Sequence, residues 1–284
     1  MATRTWLITG AQRGLGRAFT EAALAHGDRV AATARTPDEL ARELAPYGDQ
    51  ALALTLDVSD RAAVRRAVDR AVEQMGHIDV VVNNAGYGLS GGIEEVSEAQ
   101  ARAQFDTNFF GALWVTQAVL PHMRARRSGH IIQISSVSAI KSGLNLGIYC
   151  ASKSALEGMS EALAREVAPF GIKVTIVEPS MFRTDWAGRS MIRAAALDDY
   201  DVVLAERRRE YAGDVPSDAP GDPALAAQRL IEIVEMPDPP LRLLLGNKAV
   251  DIATAIYQGR VADTAEWEAV SRSVDAPARP GPHR

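Results

Sequence analysis

The sequence predicts an α/β fold in a single domain: a doubly wound parallel β-sheet with helices on both faces. Three observations carry this. Short apolar runs alternate with longer stretches whose apolar residues recur at helical spacing. The short runs are continuously apolar rather than alternating, as strands are when helices cover both faces of a sheet. A glycine-rich turn joins the first run to the first helical pattern, where such folds place a ligand beyond the carboxyl ends of the strands.

Taken in order, "TWLITG" is the first strand, and "GRAFTEAALAHG" follows as a helix stopped by Gly27. "RVAATA" leads to a helix over about 37–45, "ALALTLDV" to one over 60–75, and "DVVVNNAG" to a long helix over 98–126. "GHIIQISS" precedes a helix over 148–168, and "KVTIVEP" is the sixth strand. Beyond Pro179 the rhythm breaks. Residues 180–222 hold helix-like material and a loop rich in Pro, Gly and Asp, which reads as a substrate-binding segment. The strand "LRLLLG" and a helix over 248–273 close the domain, expected to span 1–273, with 274–284 as a disordered tail.

Composition narrows the function classes. The 284 residues are 47% apolar and 24% charged, the balance of a globular domain with a sizeable core. A net charge of −5 argues against a general binder of nucleic acid or anionic membrane. The run "ERRRE" at 206–210 reads as a solvated helix face. The single cysteine, Cys150, has no disulfide partner, and the five scattered histidines offer no metal-ligand spacing. No apolar run approaches the roughly 20 residues of a membrane span, and "MATRTWLITG" enters a strand at once. The expectation is a cytoplasmic protein without signal peptide or metal.

The turn "TGAQRGLG" runs from Thr9 to Gly16. Gly10, Gly14 and Gly16 remove Cβ atoms where backbone must turn and approach a ligand closely. With Leu15 they open a helix whose N-terminus favours an anion, here the pyrophosphate of a dinucleotide in a Rossmann-type fold. The spacing is GxxxGxG rather than GxGxxG. At the end of the second strand an acid would bind a ribose 2′-hydroxyl, whereas an arginine suits a 2′-phosphate. This strand ends Ala34–Arg35, and Arg13 precedes Gly14. Two guanidiniums and no carboxylate favour NADP(H) over NAD(H). Asp57 and Val58 end the third strand at the adenine side. The Asp57 carboxylate either bonds the adenine amino group or caps the next turn.

"YCASK" sets Tyr149 and Lys153 four residues apart, on one face of a helix. A tyrosine ionises near pKa ~10, too high for proton transfer at neutrality unless a cation favours its phenolate.

Together "TGAQRGLG", "NNAG" (Asn83 to Gly86), "DTNFFG" around Asn108, "ISS" at 134–136 and "YCASK" resemble the short-chain dehydrogenase/reductase family over residues 4–186, and more weakly to about 273. The resemblance implies a catalytic tetrad of Asn108, Ser136, Tyr149 and Lys153. It also implies that Asn84, Ala85 and Gly86 line the ribose side of the cofactor, and that Pro179 and Thr184 border the nicotinamide. Ser136, thirteen residues before Tyr149, is the expected catalytic serine, with Ser135 facing the other way. Ser180 stands where the family often has Gly. It is expected either to restrict the backbone there or to add a hydroxyl to the nicotinamide pocket.

These residues imply interconversion of a ketone and a secondary alcohol, with Tyr149 exchanging the proton. Lys153 is expected to hold the ribose, Ser136 to donate to the carbonyl oxygen, and Asn108 to hold a water on the proton path. Reduction of an imine or an activated C=C, and a non-catalytic dinucleotide-sensing or interaction module, are the alternatives. The substrate is expected to be an apolar or ring-containing carbonyl or alcohol. Leu144, Met181, Phe182, Trp186 and Met191 line its pocket or else serve core and interface. Cys150 reads as a packed residue rather than a nucleophile. The long helices, 98–126 and 148–168, offer faces for a homo-oligomer.

Overall fold

A computed structural model describes residues 3–186, 188, 190–210 and 219–275. The chain begins β1 (Thr5–Ile8), α1 (Gly14–Ala25), β2 (Arg29–Ala34), α2 (Asp38–Leu44), β3 (Ala51–Thr55), α3 (Arg61–Met75), β4 (Val80–Asn83). It continues β5 (Gly88–Ser90), α4 (Glu98–Phe105), α5 (Ala112–Arg126), β6 (Gly129–Ile134), α6 (Val137–Ile140), α7 (Gly147–Val167), β7 (Ile172–Pro179). It closes with β8 (Met191–Arg193), α8 (Asp201–Glu210), α9 (Pro223–Glu235), β9 (Arg242–Leu245), α10 (Asn247–Glu266) and α11 (Glu268–Arg272).

Seven strands form one parallel sheet in the order β3-β2-β1-β4-β6-β7-β9. The fold is the expected Rossmann-type, doubly wound α/β domain. Side chains alternate along each strand, so the continuous apolar runs feed two cores. Trp6, Ile8, Val80, Val82 and Ile132 face α1, α2 and α9. Leu7, Val81 and Ile131 face α3, α5 and α7. The chain runs β1-β2-β3 in one direction, then returns to place β4 on the other side of β1. The crevice opened by that reversal lies at the carboxyl ends of β1 and β4.

Four features depart from the expected element list. Helix α9 fills the stretch between the Pro/Gly/Asp loop and the strand "LRLLLG", to which that list assigns no element. Asp222 caps it, its Oδ1 accepting from Ala224 N at 2.8 Å, and Pro223 takes the first turn, where its missing N–H costs nothing. Its Ala226, Ala227, Leu230 and Val234 then cover the α1 side of the sheet. The expected helix over 98–126 is continuous, but a π-helical turn at Asp106–Gly111 separates α4 from α5. Strands β5 and β8 pair in parallel as a separate two-stranded sheet, too short to show a period. The helix over 248–273 breaks at Trp267 into α10 and α11. Residues 211–218 of the Pro/Gly/Asp loop and 276–284 of the tail lie outside the described residues.

No described helix is long and apolar enough to cross a membrane. Among the described residues no group of three or more His, Cys, Asp or Glu is arranged to hold a metal ion.

Leu230 is 1% exposed and joins α9 to the core beneath α1. Leu230→Ala is expected to cost about 2–5 kcal/mol, measured by urea unfolding. A loss below about 1 kcal/mol would show that α9 is not part of the cooperative core.

Candidate active site

The turn after β1 is fixed from β4. Asn84 Nδ2 donates to the Thr9 carbonyl at 2.8 Å and to the Gly10 carbonyl at 3.0 Å. Thr9 Oγ1 accepts from the Asn84 and Ala85 amides, each at 3.0 Å. This locks the two sides of the crevice together. Gly10 has φ +65, and a Cβ there would lie 3.0 Å from Ala85 Cα. A Cβ on Gly16 would collide with the Asn84 amide and the Gly10 carbonyl. The glycines therefore form a cradle that no side chain fills. Arg13 stands at the N-cap of α1 with extended backbone, and no side chain caps the helix or places an acid in its first turn. A helix N-terminus left open in this way fits an anion such as a pyrophosphate. Leu15 is half-buried in α1, against the core.

Arg13 and Arg35 are both exposed beside this cradle, and among the described residues neither forms an ion pair. Asp57 takes the capping role. Its Oδ1 accepts from Ser59 N at 3.0 Å and Ser59 Oγ at 2.6 Å. Those bonds, with the charge of Arg35, hold its carboxyl below the usual range. Val58 turns its side chain into the core against Gly111.

A polar centre lies along α7. Tyr149, Lys153, Asn108 and Ser136 are all buried, at 4%, 6%, 1% and 8% exposure. Lys153 Nζ lies 6.0 Å from the centre of the Tyr149 ring and donates to the Ile134 carbonyl at 2.8 Å. Burial pushes its ammonium down to about 8, with Glu157 opposing the shift. Asn108 sits in the π-helical turn. Its Nδ2 donates to the Tyr87 carbonyl at 3.1 Å and to Ser152 Oγ at 3.2 Å, while its Oδ1 accepts from Tyr87 N at 3.1 Å. Ser152 Oγ in turn donates to the Tyr149 carbonyl at 2.7 Å. A Cβ on Gly86 would stand 3.5 Å from Lys153 Nζ and 3.1 Å from Asn108 Oδ1, so the "NNAG" turn, Asn108 and Lys153 share one wall.

The two serines separate as strand alternation requires. Ser136 caps α6, its Oγ accepting from Ser138 N at 3.1 Å, whereas Ser135 Oγ donates to Glu157 Oε1 at 2.6 Å. Thr184 lies over Gly14, its Cγ2 3.7 Å from where a Cβ would stand. Pro179 ends β7 opposite Leu245. The Ser180 hydroxyl donates to the Leu245 carbonyl at 3.3 Å and faces Gly246.

Of the five expected pocket residues, two stand beside Tyr149. The Trp186 ring centre is 5.2 Å from that of Tyr149 at an interplanar angle of 59°, and Met191 packs in the same cluster with Leu146 and Cys150. Phe182 belongs to the sheet core, and Leu144 and Met181 are exposed. Burial pushes the Cys150 thiol up, as for a packed residue. Arg208 is not a free surface charge. It pairs with buried Glu95 and with Asp201, fastening α8 to the loop after β5. Sequence reasoning missed Ser152, Glu157, Glu178 and Arg242. A signal for Glu157 was available, since Tyr149, Lys153 and Glu157 recur at four-residue spacing.

The fold and its glycine cradle define the class: an α/β domain of the dinucleotide-binding type. A family model described as short chain dehydrogenase matches residues 4–211. The oxidoreductase BOA17 of Botryotinia fuckeliana is 39% identical over 273 residues, covering 95% of this chain and 98% of its own. A 3-ketodihydrosphingosine reductase of Bacteroides thetaiotaomicron is 35% identical over 240 residues, covering 84% of this chain and 87% of its own. The crystal structure of a short-chain dehydrogenase from Streptomyces avermitilis superposes with a TM-score of 0.90 at 40% identity, covering 96% of this chain and 100% of its own. The chain belongs to the short-chain dehydrogenase family, enzymes that carry out oxidoreduction with a nicotinamide dinucleotide.

Proposed function

We propose that this protein is an NADP(H)-dependent oxidoreductase that interconverts a ketone and a secondary alcohol, with Tyr149 as the general acid and base. The observation that carries the reading is the buried Tyr149–Lys153 pair on α7, with Asn108 on the same wall and buried Ser136 following β6, beside an open glycine cradle. The residues fit a dinucleotide: Gly10, Gly14, Gly16 and the α1 amides would hold its pyrophosphate, Asn84 to Gly86 and Lys153 its ribose, and Pro179 and Thr184 its nicotinamide. When bound, the reduced cofactor supplies the hydride.

The chain's own residues do the rest. Tyr149 Oη gives a proton to the carbonyl oxygen in the reductive direction and takes it back in the oxidative one. The Lys153 ammonium favours the phenolate that this leaves. Ser136 Oγ donates to the oxygen as negative charge builds there. Asn108, fixed by Tyr87 and Ser152, orients the water through which the Lys153 side recovers its proton. Trp186 and Met191 exclude bulk water beside Tyr149 and suit an apolar or ring-containing substrate. A relative named 3-ketodihydrosphingosine reductase agrees with a keto substrate. Arg13 and Arg35, with no carboxylate at the end of β2, support NADP(H) over NAD(H). A homo-oligomer through the outer faces of α5 and α7 is part of the same proposal.

NADPH oxidation across a panel of ketones, quinones and imines tests the reading. Tyr149→Phe is expected to lower turnover at least about a thousandfold while leaving NADPH binding within about threefold. Retained turnover would remove Tyr149 from the chemistry, and silence of the parent enzyme over the whole panel would favour a sensing module. Arg35→Asp is expected to weaken NADPH binding at least about tenfold relative to NADH in paired fluorescence titrations. An unchanged ratio would refute the cofactor preference.

A further inference from the structure

Along one face of α7, Tyr149, Lys153, Glu157 and Glu161 follow one another at four-residue intervals. The first two belong to the function proposed above, which has no use for Glu157. Yet Glu157 is buried, and its two oxygens are held separately. Ser135 Oγ donates to Oε1 at 2.6 Å, and Arg242 Nη1, reaching in from β9, donates to Oε2 at 2.7 Å. Arg242 also donates to Glu178 Oε1 on β7 and to Glu161 Oε1, each at 2.5 Å. One guanidinium thus faces three carboxylates, more negative charge than it can match.

Lys153 is the buried cation one turn away. Its hydrogen bond goes to the neutral Ile134 carbonyl, which cannot offset the loss of hydration of an ammonium. The carboxylate that acts on it is Glu157, and its pull opposes the effect of burial. Glu178 is the group that takes up the surplus. Burial and the neighbouring Glu157 push it up to about 7, despite Arg242.

We propose that Glu157 is a positioning residue for the Tyr149–Lys153 pair: held by Ser135 on one oxygen and Arg242 on the other, its carboxylate is the counter-charge of the Lys153 side chain. The inference rests on the function proposed above for that pair. The other charged or titratable groups around the network are Tyr149 and Glu161 on α7, Glu178 on β7, Arg242 on β9, and Tyr257 and Arg260 on α10. Asp106 on the π-helical turn and Lys141 after α6 are exposed. The competing account makes Glu157 an anchor for Arg242 alone, fastening the edge strand β9.

The chain has only four lysines, Lys141, Lys153, Lys173 and Lys248, so Lys153 is readable on its own. Full-length protein labelled with 13C-lysine is titrated by NMR, with Lys153→Met assigning the resonance. The parent midpoint is expected near 8. Glu157→Gln should lower it by about one pH unit or more, a tenfold rise in the acid dissociation constant. Glu157→Asp, which keeps a carboxylate but draws it back by one methylene, should lower it less. A fall in Glu157→Gln larger than that in Glu157→Asp supports a counter-charge, whereas an unchanged midpoint in Glu157→Gln, or the same fall in both variants, overturns it. Should Glu157→Gln fail to fold, Glu157→Asp decides alone: a fall supports the proposal, and an unmoved midpoint overturns it. The titration needs neither substrate nor turnover. Turnover retained by Tyr149→Phe would therefore sink the reading of the pair while leaving the Lys153 shift intact, and an unmoved Lys153 would sink only the proposal about Glu157.

Discussion

A single buried charge, the Lys153 ammonium, constrains the architecture around the crevice. An ammonium withdrawn from water costs several kcal/mol unless its surroundings return part of its solvation. The fold returns it from several directions. The end of β6 offers the Ile134 carbonyl, and the turn after β4 brings Gly86 close, where a Cβ would press on Asn108 Oδ1 at 3.1 Å and touch Nζ at 3.5 Å. The π-helical turn brings Asn108 to the same wall, tied to Tyr87 and Ser152. Each of these elements has to end where it does for Lys153 to stay inside. The extra residue of a π turn, costly in an ordinary helix, is retained at sites of this kind because it re-aims one side chain.

The second constraint is the pairing of β1 with β4 across the topological reversal. Asn84 bonds to the Thr9 and Gly10 carbonyls, and Thr9 returns two bonds to the amides of Asn84 and Ala85. The glycine cradle is thus rigid because it is stitched to the strand whose next residues reach Lys153. A cofactor lying across both would bridge the anion cradle and the polar centre. Such pre-organisation is what positions reactants with little loss of entropy on binding.

Much of this was legible in the sequence, for identifiable reasons. Strands such as "TWLI" and "VVVN" feed two cores and so are apolar throughout, and glycine positions mark backbone that must approach other backbone. Residues four apart on a helix share a face, so Tyr149 and Lys153 announced their pairing. What escaped depends on distant partners. Helix α9 was hidden because Pro223 reads as a loop residue, although behind Asp222 it opens a helix. Strands β5 and β8 have three residues each and no period of their own. Arg208 looked solvated within "ERRRE", but its partner Glu95 is more than a hundred residues away. The Ser180 hydroxyl turns to Leu245 because β9 lies beside the end of β7. Ser135, Glu157, Glu178 and Arg242 likewise come from three strand ends and a helix that only the folded sheet brings together.

The central claim is that Lys153 is kept for binding and chemistry at a cost to stability. Lys153→Met, of similar length and without charge, tests it when thermal unfolding and NADPH affinity are measured on the same preparation. The account predicts an equal or higher thermal midpoint together with weaker NADPH binding, because the substitution removes a buried charge that only the bound state needs. A lower midpoint with unchanged NADPH affinity would contradict it and make Lys153 part of the structural framework alone.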